Sequence, residues 1–592
     1  MIKFRMLLQF IKLNSFLLTL AAITLLGALL RFPYLDQIPP AMLQDEVALG
    51  YNAISIAQTG TDEWGQRFPI VFRSFGDDKP PGFFYATSLL YLLIGWQPVL
   101  PRLTSAIAGT LLIIVGSLWI KKLFNPEKSA NQLALFAGLL LAISPWTIHL
   151  SRMALESNLA LLFFFCGLYF FEFGQAGRRS QSIAKSIAAA LFLAASTYTF
   201  HSYRYTVALL FFGLLLTTYI FKNWLRSKIT YQVNHIWLVL IISSVLALPG
   251  FFGSGTSTRL SQTFLPSTAA SKQLYTFYQN NCYITLTNLA RPLLPLCRLE
   301  YNKIMNPLMI LGSSYADHLS PNFAFFSGDP GFGRNPTALG ELYLILFPLW
   351  IIGGYFVLTQ YKKYYPLILG YLISLIPSAV SGPTHSTRLS VHLPFLIAVI
   401  IFGYQFLYSK SHRLAIALWV MLFVFLGYFV MNYSTATYAN SQDFLGHGKE
   451  LAESIYPYFE QNYTIYMDED LIAEPHIYFA YWNRLDPVVY HQLRGESPED
   501  TYGFSRPLQL GENLLFHQAN INKLVCDPSY TTPTLFVTRQ AMLFSPQKVI
   551  RNNTQALRLV ELYELSEMRK QTKVLTAYCL EDKVGNQTTQ GQ

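Results

Sequence analysis

The feature that most restricts this chain is a succession of apolar runs, each about as long as a bilayer is thick. A helix rises about 1.5 Å per residue, so about 20 apolar residues cover a hydrocarbon core of about 30 Å. Runs of this kind occupy residues 15–32, 103–120, 131–148, 157–173, 184–200, 206–222, 235–251, 338–359, 364–380, 390–408 and 413–432. They predict a mainly α, polytopic bundle of about eleven spans, because lipid-exposed backbone must satisfy its own hydrogen bonds. Charged residues make up 13% of the 592, about half the share usual in soluble domains.

Charge divides the chain in two. Residues 1–432 hold 14 of the 33 acids and carry a net charge of +16, while 433–592 carry −6. The positive residues form short clusters between apolar runs rather than a stripe, which argues against nucleic acid as a partner. These clusters are Lys121/Lys122/Lys128, Arg178/Arg179/Lys185, Lys222/Arg226/Lys228, Lys362/Lys363 and Lys410/Arg413. With the basic N-terminus (Lys3, Arg5, Lys12) in the cytoplasm, all of them fall on the cytoplasmic side, as the positive-inside rule requires. The basic start and apolar stretch also resemble a signal peptide, but no small-residue cleavage site follows, so a retained first span is expected.

Phe83–Trp96 is apolar but short, and Lys79-Pro80-Pro81-Gly82 precedes it. Counting it as a span would invert every later loop, so it is expected to lie at the outer interface or re-enter. The odd span count then sends the acidic tail outside. The expected domains are a transmembrane portion, 1–432, with outer loops 33–102 and 252–337, and an extracytoplasmic α/β domain, 433–592. The setting implied is a plasma membrane surrounded by lipid partners.

Cys282 and Cys297 share the long outer loop, and Cys526 and Cys579 share the tail. Two pairs on outer segments suggest two disulfides in an oxidising compartment. In the tail, Tyr463–Met467 and Thr534–Thr538 have strand composition. Gln555–Leu565 reads as helix or strand, and Lys573–Cys579 as strand.

The residues suited to chemistry collect on the outer side of this map. Asp45 and Glu46 open the first loop, where they either cap a helix or meet water, cations or substrate. Asp78 and Lys79 precede the Pro-Pro helix start, and a lysine there either snorkels or meets a phosphate. Arg152 and Glu156 are four apart, so on one helix they would share a face and could pair structurally. An aromatic belt explains the tyrosines of Tyr198–Tyr205, but not His201 and Arg204, which suit an anionic headgroup. Ser381–Arg388 brings His385 and Arg388 to the same side.

In this order, Asp45-Glu46, Asp78-Lys79-Pro80-Pro81, Pro101-Arg102-Leu103 and Ser151–Asn158 resemble glycosyltransferase family 39. That family and its relatives in the GT-C superfamily include the protein O-mannosyltransferases and the lipid A aminoarabinose transferases. The resemblance runs over most of the membrane portion and fades in the tail. It implies a GT-C-type bundle that transfers a sugar from a polyprenyl-phosphate donor at the non-cytoplasmic face. It makes Asp45 the acidic catalytic residue, Lys79 a donor-phosphate ligand and Glu156 a matching outer carboxylate, with Arg204 a candidate phosphate contact. The long loop of about 85 residues leaves little room for the extra β-trefoil domain of the eukaryotic members.

The residue types agree with that chemistry. A phosphate-linked donor needs no general acid, a carboxylate can take the proton of the attacking hydroxyl, and cations can meet the departing phosphate. Direct displacement would invert the anomeric centre. The acceptor would be a protein, a lipid or a glycan. No cofactor is required, and no metal site is assigned, although Glu46, Asp78 or His201 leave room for a divalent ion. A transporter or flippase would carry acids in mid-bilayer and repeated broken helices, neither of which the sequence shows. A lipid-linked polysaccharide polymerase or ligase would keep the phosphate contacts and use another acceptor.

Overall fold

The computed structural model describes residues 2–171 (apart from 75–76), 183–220, 233–251, 269–289, 295–297, 302, 304–440 and 447–579 (apart from 469–470, 473, 496, 499–506, 518, 520, 553 and 555–557). The clusters Arg178/Arg179 and Lys222/Arg226/Lys228, and part of the long outer loop, lie outside the described residues. The chain divides into two compact units. One contains 1–33, 78–83 and 103–432; the other contains 34–77, 84–102 and 433–592.

The first unit is a helix bundle, and the chain is a multi-pass membrane protein. Each apolar run read from the sequence is helical over most of its described residues. Leu100–Leu123, His201–Ile220, Tyr361–Ser381, Ser386–Lys410 and His412–Ala439 are long and apolar enough to cross by themselves. The remaining runs form shorter apolar helices, such as Glu156–Phe170 and Ile183–Thr197, or the bent pair described below. Among the described residues five helices are thus long and apolar enough to span, or six with the bent pair, where the sequence predicts about eleven. Gly82–Ile94 has 13 residues, which rise about 20 Å and fall short of the hydrocarbon core. The long outer loop is not structureless, since it contains helices Ala269–Leu289 and Met305–Leu319.

The run at 131–148 is not one straight helix. Ala130–Ile143 and Pro145–Arg152 meet at 52°, because Pro145 has no N–H to give the carbonyl of Leu141. In lipid the freed carbonyls need other donors. Arg31, fully buried, donates to Leu141 O at 2.8 Å and Ala142 O at 2.8 Å. The Tyr343 hydroxyl donates to Ile143 O at 2.7 Å. Elsewhere in the bundle, a Cβ at Gly353 would collide with the backbone of Val399, and one at Gly403 with that of Leu349. These glycines let Phe347–Thr359 and Leu393–Lys410 pack backbone to backbone.

The second unit is α/β. Its six strands run in the order Gln509–Leu510, Leu514–Leu515, Thr464–Met467, Thr534–Thr538, Arg558–Glu564 and Lys548–Arg551. Thr464–Met467 pairs in parallel with both neighbours, and the other pairings are antiparallel. Ile465, Leu535 and Val537 face one apolar cluster, while Phe536 faces another. This central strand is therefore covered on both sides, as its continuous apolar run requires. The first cluster also takes in Val47, Ala48, Tyr51 and Ile54 of the first-loop helix Gln44–Thr59.

Both cysteine pairs are disulfides, Cys282–Cys297 and Cys526–Cys579. Residues 572–579 are helical rather than the strand expected there. Val574, Leu575 and Tyr578 fall on one face at helical spacing and pack on the second cluster.

Candidate active site

In the first unit, the structure joins motifs far apart in sequence. The segment Asp78–Phe83 belongs to the bundle although its flanks do not. His201 Nε2 lies 3.0 Å from the Asp78 carbonyl, and the Gly82 N–H donates to Tyr198 O at 2.8 Å. A Cβ on Gly82 would strike Thr199, so glycine is what allows this approach. Asp78 and Lys79 are both buried here. His201 and Arg204 share the first turn of His201–Ile220, and buried Arg204 donates from Nε to Thr197 O at 3.1 Å.

The phenol of Tyr203, between His201 and Arg204, is fully buried. Its oxygen lies 2.9 Å from Ser390 Oγ and donates to Ser157 O at 3.5 Å. One side chain therefore ties the turn bearing His201 and Arg204 to the neighbours of Glu156 and Arg388. Aromatic-belt composition hid this role in the sequence.

Arg152 and Glu156 do not share a helix. Pro145–Arg152 ends at Arg152, the backbone is extended at Met153 and Leu155, and Glu156 begins Glu156–Phe170. Arg152 donates to Leu30 O at 3.0 Å, Arg31 O at 3.3 Å and Pro33 O at 2.8 Å. It thus caps the C-terminus of the first helix, where a cation is favoured.

The sequence reading missed a second set of groups beside Arg388. The loop Gly328-Asp329-Pro330-Gly331-Phe332-Gly333-Arg334 carries a buried carboxylate, Asp329. It accepts from the Ser386 N–H at 2.6 Å, the Gly331 N–H at 2.8 Å and Arg334 Nε at 2.9 Å. It thereby caps the helix that begins at Ser386, supplied from a separate segment. Burial pushes the Asp329 carboxyl up, but Arg334 and these backbone donors outweigh it and hold it below its usual range. Glu341, buried alongside, accepts the Asp329 N–H at 3.1 Å. Burial first, then the Asp329 charge, pushes Glu341 well above the carboxylate range. Burial, with Arg334 and Arg388, holds His385 down at about 3, so this imidazole is neutral. Turn-rich composition around Asp329 was the available signal.

In the second unit, Asp45 and Glu46 lie in the first turn of Gln44–Thr59. Glu46 is fully buried and paired with Arg102 through two bonds of 2.9 Å. Arg102 also donates to Leu35 O at 2.7 Å, to Pro39 O at 2.8 Å and to Ala41 O. The adjacent Asp45 is half-buried. Among the described residues, no three His, Cys, Asp or Glu side chains are grouped to hold a metal ion.

No protein-family model matches the sequence, and no curated protein matches it. The solved structures similar to it are GT-C glycosyltransferases. One is ArnT from Cupriavidus metallidurans bound to undecaprenyl phosphate, 15% identical, with a TM-score of 0.49, over 93% of this chain and 98% of that one. Another is the archaeal oligosaccharyltransferase AglB from Archaeoglobus fulgidus, in complex with an inhibitory peptide and a dolichol-phosphate. It is 14% identical, with a TM-score of 0.46, over 80% of this chain. A third is the mycobacterial arabinofuranosyltransferase AftD, 12% identical, with a TM-score of 0.34, over 93% of this chain. This chain spans 64% of the length of AglB and 40% of that of AftD.

Proposed function

We propose that the protein is an integral-membrane glycosyltransferase that moves a sugar from a polyprenyl-phosphate donor to an acceptor hydroxyl, on a protein, lipid or glycan. The observation that carries this reading is the packing of Asp78–Gly82 against Tyr198–Arg204 in one unit. It sets the Lys-Pro-Pro segment beside the turn bearing His201 and Arg204, as the handling of a phosphate requires.

Asp45 is the base in this reading, and Glu46, held by Arg102, positions it. The acceptor oxygen attacks the anomeric carbon as its proton passes to the Asp45 carboxylate. The carbon–oxygen bond to phosphate breaks, its electron pair stays with the phosphate, and the configuration inverts. Lys79, Arg204 and Arg388 meet the phosphate charge; preorganised cations lower such a barrier without reorganising. Asp78 and His201 shape the Lys79 segment, while Arg152 and Glu156 hold the neighbouring helix ends. The membrane is the plasma membrane, with the N-terminus cytoplasmic and 433–592 outside, in the same compact unit as 34–77 and 84–102. The two disulfides support that orientation, since they fall on segments assigned to the oxidising side.

The test incubates the purified protein with a panel of polyprenyl-phosphate sugars and acceptors and reads products by mass spectrometry. Transfer of one sugar is expected, with Lys79→Ala raising the KM for donor more than that for acceptor. Turnover of lipid-linked oligosaccharides alone would favour the polymerase or ligase reading. Cysteine labelling near Lys121 and Asp45 should report opposite sides of the membrane, and labelling on one side would overturn the orientation.

A further inference from the structure

The far end of Ser386–Lys410 from the His385–Arg388 turn carries a cavity of about 530 Å³. Its wall is formed by Pro126–Ser129, between Leu100–Leu123 and Ala130–Ile143, and by Gln405, Tyr408, Ser409 and His412, where the last two spans join. None of these residues has a part in the chemistry above. Glu127 and Lys128 are exposed at this wall and form no ion pair among the described residues, so a carboxylate and an ammonium line it side by side. Helix Ala130–Ile143 starts at the wall, and its N-cap Ser129 makes no side-chain cap bond. That adds the positive end of a helix dipole.

We propose that this cavity seats the headgroup of an aminophospholipid. Lys128 and the His412 N–H meet the phosphodiester, and Glu127 accepts from the primary ammonium. Three features favour this ligand. The cavity lies where spans end, which is the depth of a headgroup, and basic pockets between helices at that level suit lipid phosphates. Phe406 and Leu414, exposed and within two residues of the lining Gln405 and His412, offer acyl chains an apolar surface that a free phosphate would not use. Both signs of charge line one wall, which suits a zwitterion better than an anion alone. A quaternary ammonium is a poorer fit, since it cannot donate to Glu127. The Tyr408 ring is already 4.4 Å from the His412 ring and forms no aromatic cage.

The test titrates the detergent-solubilised full chain with short-chain phosphatidylethanolamine, phosphatidylglycerol, phosphatidylcholine or inorganic phosphate, counting bound lipid by native mass spectrometry. Phosphatidylethanolamine should bind about tenfold more tightly than phosphatidylcholine, the worth of one charge-assisted hydrogen bond. Glu127→Gln should erase that preference while phosphatidylglycerol binding persists. The double variant Lys128→Ala/His412→Ala should lose both lipids about tenfold or more at an unchanged Tm. Equal binding of ethanolamine and choline lipids would overturn the proposal, as would a preference untouched by Glu127→Gln. Inorganic phosphate displacing the lipid at equal concentration would also overturn it, making the site one for a free anion. None of these outcomes depends on sugar transfer, so this site and the proposed reaction stand or fall separately.

Discussion

The first loop contains the dipeptide Asp-Glu twice, at 45–46 and at 62–63, and the two copies have opposite fates. At the first, buried Glu46 meets Arg102 in a bidentate pair that is itself tied to three backbone carbonyls. At the second, Glu63 is 2% exposed, and neither of its carboxylate oxygens has a hydrogen-bond partner among the described residues. Burial, with repulsion from Asp62 and Glu474, pushes its carboxyl up to about 8 despite Asn52 and Arg494 nearby. Arg494 serves the neighbouring backbone instead, donating to Glu63 O at 3.0 Å with its guanidinium 3.5 Å from the Trp64 ring centre. The same two letters thus give an arginine-matched carboxyl group in one place and a proton-carrying acid in the other. Whether a matched arginine reaches the carboxylate decides which.

The contrast can be broken experimentally, starting with its strongest arm. Arg102→Met strips a buried carboxylate of its partner and should cost about 3–5 kcal/mol. A lowered Tm should report this, and the double variant Arg102→Met/Glu46→Gln should recover part of the loss. Glu63→Gln should have the opposite sign. Because the folded pKa of Glu63, about 8, lies above its ordinary 4.5, the folded state holds the proton more tightly than the unfolded one. That contribution to stability is complete below pH 4.5 and is lost as pH rises towards 8. The variant should therefore match the wild type in acid and exceed it by on the order of 5 kcal/mol at the alkaline end. A wild type with a flat pH profile would mean that Glu63 is ionised and paired. The smallest effect belongs to Asp62→Asn. Asp62 Oδ1 accepts from the N–H groups of Trp64 and Gln66 at 2.9 and 2.8 Å, and an amide oxygen can do the same. The expected change in unfolding free energy is about 0.5–1 kcal/mol.

Much of the bundle was legible because span length is set by the bilayer, and a run of apolar residues reads directly as helix. The bend at Ser144-Pro145 was visible as a proline, but its repair was not, since Arg31 and Tyr343 lie 110 and 200 residues from the carbonyls they satisfy. The Asp329 loop escaped for the same reason, its partner Ser386 lying 57 residues on. Tyr203 was misread as belt because composition cannot say which tyrosine hydroxyl is buried. Lys573–Cys579 has the composition of a strand, and only the apolar face it had to cover made it helical. In the site, residue types and their order pointed to Asp45, Lys79, His201 and Arg204. What they could not give was the pairing of Glu46 with Arg102, which sets it apart from Asp45.

In the proposed reaction the first-loop carboxylate Asp45 is the base of a sugar transfer from a lipid phosphate. The direct measurement compares purified wild type with Asp45→Asn on the polyprenyl-phosphate sugar that the wild type uses, alongside circular dichroism and Tm. The expected result is a fall in kcat of about 10²–10⁴-fold with the fold intact. Wild-type turnover in the Asn variant would contradict the claim and move the base elsewhere.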